Sequence, residues 1–136
     1  MFIVTEIPSP LEPSECIRFL SMLADFYARW VKHNPLPPLM MPKGNRAHPN
    51  CKIRYQEEPN SGKGFEQWDS PWTVVARGWG DCDDLILYRL CELRAKGERA
   101  GVSLIKKGDR FHAQVKRKNG DYEDPSTALI QKAKGH

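Results

Sequence analysis

A chain of 136 residues, 40% hydrophobic and 28% charged, with 11 prolines and 10 glycines, has the size and composition of one globular domain, in which roughly two-thirds of the unfolded surface can be buried. No apolar run approaches the about 18 residues of a membrane span, and the opening MFIVTEIPSP has neither the basic region nor the apolar stretch of a signal peptide, so a cytoplasmic setting without a membrane partner is expected. The net charge of +4 and pI near 8.9 come from basic residues clustered over 96–118, but apolar residues break that run at strand spacing; it reads as solvated lysines on an outer sheet face rather than a nucleic-acid surface.

Four cysteines, Cys16, Cys51, Cys82 and Cys91, show no CxxC pairing. Free thiols are expected, and a disulfide scaffold is not.

From Ser14 to His33 apolar residues fall at Ile17, Leu20, Leu23, Phe26, Tyr27, Trp30 and Val31, which is helical spacing, with Ser14 as the expected cap and Asn34-Pro35 as the stop. Residues 35 to 50 hold five prolines and one glycine, so a long packed loop is expected there. Lys52 to Glu57 alternates like a short strand, and Glu58 to Ser70 reads as a second loop. Pro71 to Arg77 fits either a helical turn or a strand.

After Gly78-Trp79-Gly80, Asp81 stands where an N-cap belongs. Asp83 and Asp84 fill the first turn, Leu85, Ile86, Leu90 and Leu93 form an apolar face, and Gly97 ends the helix. Two strands follow, Val102 to Lys106 and Arg110 to Lys118, joined by the turn Lys107-Gly108-Asp109. Asn119-Gly120-Asp121 turns the chain into Tyr122-Glu123-Asp124-Pro125. The fold class is α+β: a helix, a loop-rich middle, a second helix, and an antiparallel sheet of three or more strands. Residues 1–136 are expected to form one domain.

One constellation in this layout carries chemistry. Cys82 lies in the first turn of the second helix, where free backbone N–H groups and the helix dipole favour a thiolate and an oxyanion. Asp81, Asp83 and Asp84 oppose that by raising the thiol pKa, so a cationic partner is needed. His33 ends a helix, His48 lies in the proline-rich loop and His136 is the last residue. His112 sits on a strand that can aim its imidazole. Asp124, 12 residues on and one hairpin turn later, is placed to fix the imidazole tautomer, or simply to cap the turn before Pro125.

The strings Gly80-Asp81-Cys82-Asp83-Asp84-Leu85, Phe111-His112-Ala113-Gln114-Val115 and Asp124-Pro125-Ser126 resemble the signature of transglutaminase-like, papain-related cysteine proteins, in particular short versions encoded among bacteriophage structural genes. The resemblance covers about residues 52–130, and residues 1–50, the first helix and proline-rich loop, match no pattern. It implies a papain-like core whose nucleophile opens a central helix packed on an antiparallel sheet. It implies a thiol peptidase, amidase or acyltransferase with catalytic Cys82, His112 and Asp124, acting on a protein or peptide, with virion association and phage structural proteins as possible partners. No cofactor is implied.

Papain-type enzymes place a glutamine just before the cysteine as an oxyanion donor, whereas Val75, Ala76 and Arg77 stand here. Trp79 and Gln56 are the substitutes considered first, with Trp72 and Trp68 behind them. Cys91, nine residues after Cys82, points away from it and reads as a small core residue. A metal site is not expected, because Cys82, Asp83 and His112 have no fourth partner at a recognised spacing. The alternative to an enzyme is an inactive virion or assembly protein that keeps the fold.

Overall fold

The computed structural model describes residues 4–8, 13–57, 65–107 and 110–135. Its chain order is β1 (Val4–Pro8), α1 (Pro13–Val31), β2 (Arg54–Tyr55), β3 (Phe65–Asp69), α2 (Pro71–Arg77), β4 (Trp79–Gly80), α3 (Cys82–Ala95), β5 (Gly101–Lys107), β6 (Arg110–Lys116), β7 (Tyr122–Glu123) and α4 (Pro125–Ala133). The class is mixed α+β, with three small sheets among the described residues: β1-β3, β2-β4 and β5-β6-β7.

Helix α3 is the axis of the fold. It carries a reciprocal capping box, in which the Asp84 N–H donates to Asp81 Oδ1 (3.0 Å) and the Asp81 N–H to Asp84 Oδ2 (3.1 Å). Every residue from Asp84 to Leu93 is buried, so the apolar face read from the sequence is only part of what the helix hides. Ile86, Leu87, Leu90 and Cys91 pack with Leu20, Ala24 and Tyr27 of α1 and with Ala113 and Val115 of β6. Leu85 and Tyr88 pack instead with Leu39, Val74, Ala128 and Leu129. Each such side chain removed from water adds about 1.5–3 kcal/mol, so α3 is held from two sides at once.

Several elements differ from expectation for identifiable reasons. Helix α1 begins at Pro13, so Ser14 lies inside its first turn rather than capping it. Residues 65–69 form a strand, not loop, because they pair antiparallel with β1 in a register from Val4↔Asp69 to Pro8↔Phe65; a partner some 60 positions away leaves no local trace. The strand expected over 52–57 shrinks to two residues, which pair in parallel with Trp79 and Gly80. The turn residues Gly108 and Asp109 lie outside the described residues. Residues 71–77 are helical, capped by Ser70 and ended by Gly78 at φ 84°, whose N–H donates to Val74 O. The chain after Glu123 forms α4 rather than continuing the sheet.

The proline-rich stretch is a packed loop. It doubles back on itself through a Met40↔Ala47 bridge and a Met41 N–H to Arg46 O bond of 2.8 Å. Buried polar groups fasten it to α3: the Leu39 N–H donates to Glu92 Oε2 (2.9 Å), and the Tyr88 hydroxyl to Pro37 O (2.5 Å). Among the described residues no helix is long and apolar enough to cross a membrane.

Candidate active site

Cys82 is the first residue of α3, directly after the Asp81 cap. The approach to it is tight: a Cβ on Gly80 would sit 3.2 Å from Asp84 Cβ, so glycine lets β4 lie against the helix start. The three neighbouring carboxyls do not act alike. Asp84 is fully buried and turned into the fold, where Oδ1 accepts from the Asp69 N–H (2.9 Å) and Oδ2 from Arg77 Nη2 (2.7 Å). Arg77 also holds Asp69 and lays its guanidinium over the Trp79 ring at 3.8 Å.

Burial, with the Asp83 and Asp81 carboxylates next in weight, pushes the Cys82 thiol up to about 12, while the backbone N–H at the helix start pulls it down. The predicted stabilising effect of the helix start is present but outweighed. The balance therefore favours the neutral thiol at pH 7. Asp124 adds to the rise, so its charge reaches the sulfur.

The neighbour that sequence reasoning missed is Tyr55. The parallel register Tyr55↔Gly80 sets this residue beside the helix start, close enough for Cys82 to bear on its phenol. Burial first, then the negative charge of Cys82 and Glu57, pushes the phenol up to about 12. The alternation of Ile53 and Tyr55 in sequence signalled a strand; a two-residue parallel pairing signals nothing local.

On β6, Ala113 and Val115 face the core. His112, the residue before Ala113, points to the other face of the strand with its side chain 27% exposed, and its Nε2 lies 2.6 Å from Asp124 Oδ2. Asp124 stands at the N-cap of α4, not on an adjacent strand: Oδ1 accepts from Ser126 Oγ (2.7 Å) and the Thr127 N–H (3.2 Å). Capping the turn and holding the histidine are thus one arrangement with a different oxygen for each. Burial works to raise the Asp124 pKa, but hydrogen bonds from Ser126, His112 and Thr127 outweigh it and hold the carboxyl below its usual range. The ionised carboxylate fixes the hydrogen on Nε2, which leaves Nδ1 of a neutral ring with its lone pair.

Among the described residues, the imidazole's hydrogen-bond partner is Asp124, and no thiol–imidazole hydrogen bond joins Cys82 to His112. Of the substitutes considered for the missing glutamine, the Trp72 ring N–H is engaged by Asn34 O (2.8 Å), and Trp68 is buried in the core. Trp79 lies under Arg77, and Gln56 is exposed with its backbone N–H on Gly80 O (3.0 Å). Cys91 is buried against α1, as a core residue would be, and Cys51 lies in the second core cluster. No group of three or more His, Cys, Asp or Glu among the described residues is arranged to hold a metal ion. Comparison of the chain with protein-family models, with curated proteins and with solved structures finds no significant match.

Proposed function

We propose that this chain is a transglutaminase-like, papain-related cysteine enzyme that cleaves or exchanges an amide bond of a protein or peptide through a thioester on Cys82. The observation that carries the reading is the His112–Asp124 pair at 2.6 Å, with the ring's other nitrogen free to act as base. As substrate enters, Nδ1 takes the thiol proton while sulfur attacks the carbonyl carbon, and the tetrahedral oxyanion is met by the N–H groups at the start of α3. Tyr55, already at the thiol, is the side-chain donor that takes the place of the absent glutamine. The intermediate collapses with the proton passing from His112 to the leaving amine. Water then gives hydrolysis, or a second amine gives transfer. A neutral resting thiol requires proton removal during attack, so the thiol–imidazole hydrogen bond absent from the free state has to form in the substrate complex.

The second reading is an inactive virion or assembly protein that retains the fold, and the observation favouring it is the thiol held up to about 12. Iodoacetamide with mass mapping of the adduct separates the two across a pH series. A thiol with that pKa and no base would gain about tenfold in rate per pH unit from 7 to 10. Under the enzyme reading, Cys82 reacts faster than the half-exposed Cys16 near pH 7, the profile levels off with the titration of a base, and His112→Ala restores the tenfold climb. A Cys82 rate below that of Cys16, climbing steadily in both parent and His112→Ala, overturns the enzyme and leaves the structural protein.

A further inference from the structure

The N–H of Asp124 donates to Asn45 Oδ1 at 2.7 Å, across 79 positions of sequence. Asn45 belongs to the proline-rich loop, in a segment that resembles nothing and has no part in the chemistry above. It is the one non-glycine residue with positive φ among the described residues, at φ 43°, directly after Gly44 at φ 94°. Asparagine tolerates that left-handed backbone better than most side chains. The loop around it is anchored on both sides. Arg89 Nη2 donates to Met41 O (3.0 Å) and Arg117 Nη1 to Pro42 O (2.8 Å). The same two arginines grip Glu123, the residue before Asp124: Arg89 Nε reaches Oε1 at 2.7 Å and Arg117 Nη1 reaches Oε2 at 2.8 Å. The loop tip and the Glu123–Asp124 segment are therefore fixed to one another through two shared cations, Arg89 buried and Arg117 partly buried.

We propose that Asn45 is a positioning residue, which sets the Asp124 backbone and through it the carboxylate that orients His112. Besides its bond to His112, Asp124 is held by Ser126 and Thr127 at Oδ1, by the Ala128 N–H at its carbonyl and by Asn45 at its peptide N–H. The bonds from Ser126, Thr127 and Ala128 belong to the local helix start. The Asn45 bond joins the arginine grips on Glu123 in tying the cap to the body of the protein, and its loss loosens the helix start against β6. The proline-rich loop is in this sense the outer support of the histidine–aspartate pair. The effect of Asn45 on turnover rests on the enzyme reading; its effect on the His112–Asp124 pair does not.

The test uses the full chain and follows the His112 ring by NMR titration, together with the rate of Cys82 alkylation by iodoacetamide at pH 7. Asn45→Gly keeps the left-handed backbone and removes only the side-chain acceptor. It should lower the His112 titration midpoint, because the carboxylate that favours the charged ring is less well held, and slow alkylation by about 10- to 100-fold, the scale of a small misplacement in a catalytic array. Asn45→Asp keeps an acceptor and the backbone preference, and should restore the alkylation rate while raising the midpoint. A His112 midpoint unmoved in both variants overturns the proposal. Should Asn45→Gly fail to fold, Asn45→Asp alone decides, since a carboxylate beside Asp124 must raise the midpoint if the contact exists. A midpoint that moves while alkylation shows no base dependence in the parent supports the positioning and removes the enzyme reading instead.

Discussion

Cys82 is pulled in opposite directions by features that sequence places within three residues of each other. The helix start stabilises its anion, Asp81 and Asp83 destabilise it, and burial decides in favour of the neutral thiol. Asp124 shows the same economy, since one oxygen caps α4 while the other meets His112. The two duties come apart in Asp124→Asn, because asparagine caps a helix about as well as aspartate. Stability should change by less than about 1 kcal/mol, while turnover or base-assisted thiol reactivity falls by up to about 10⁴-fold through the wrong histidine tautomer. Equal reactivity of the two proteins would take Asp124 out of the chemistry. The depressed carboxyl pKa also fixes a sign. Its contribution to stability is present above the ordinary carboxylate value of about 4 and is lost as pH falls through the lower folded value. The melting-temperature gap between parent and Asp124→Asn should therefore close on acidification below about pH 4.

Elements meet the site through their ends. Ser70, Asp81 and Asp124 each open a helix, and Gly78 closes α2 so that β4 can pair with β2. Gly78 has φ 84° and nothing within 4 Å of where its Cβ would be. Gly78→Ala should therefore cost about 1–2 kcal/mol from backbone conformation alone, read as a lower urea midpoint with an unchanged slope. A neutral result would mean that the turn relaxes without the left-handed residue. Helix α4 went unrecognised although Asp124-Pro125 is a standard cap and first turn. Continuing the hairpin past Asn119-Gly120-Asp121 masks that cap, since both readings begin from the same turn.

At the scale of the molecule, α3, β7, the 39–42 loop and the end of β6 converge on buried charge. Arg89 is 1% exposed and bonds Glu92 (3.0 Å), Glu123 and Met41 O, while Arg117 bridges Glu123 and Glu98 (2.5 Å). Burial opposes the Arg89 charge, but Glu123 and Glu92 raise its pKa further and keep the cation in place. Removing Arg89 leaves buried Glu92 without this cation and Glu123 with Arg117 alone, in a low-dielectric site. Arg89→Ala should cost about 3–5 kcal/mol, whereas disrupting the partly exposed Arg94–Asp25 pair through Asp25→Asn should cost less than about 1 kcal/mol. Denaturant unfolding of both variants checks this ranking, and similar losses would mean that the buried cluster is solvated.

What could be read from the sequence alone was whatever depends on neighbours. The capped start of α3 at Asp81, its end near Gly97, the β5–β6 hairpin and the nearness of His112 to Asp124 all arise from residues within a turn or a hairpin of each other. Long-range pairing was invisible: β1 with β3, Tyr55 beside Gly80 and hence beside Cys82, and Asn45 beneath Asp124. No local pattern specifies a partner 25 to 80 positions away, because the register of such a pairing is set by what the whole core buries. The protonation state of Cys82 belongs with these. Its sign depended on weighing a helix start against burial and neighbouring carboxylates, and burial exists only once the chain has folded around the thiol.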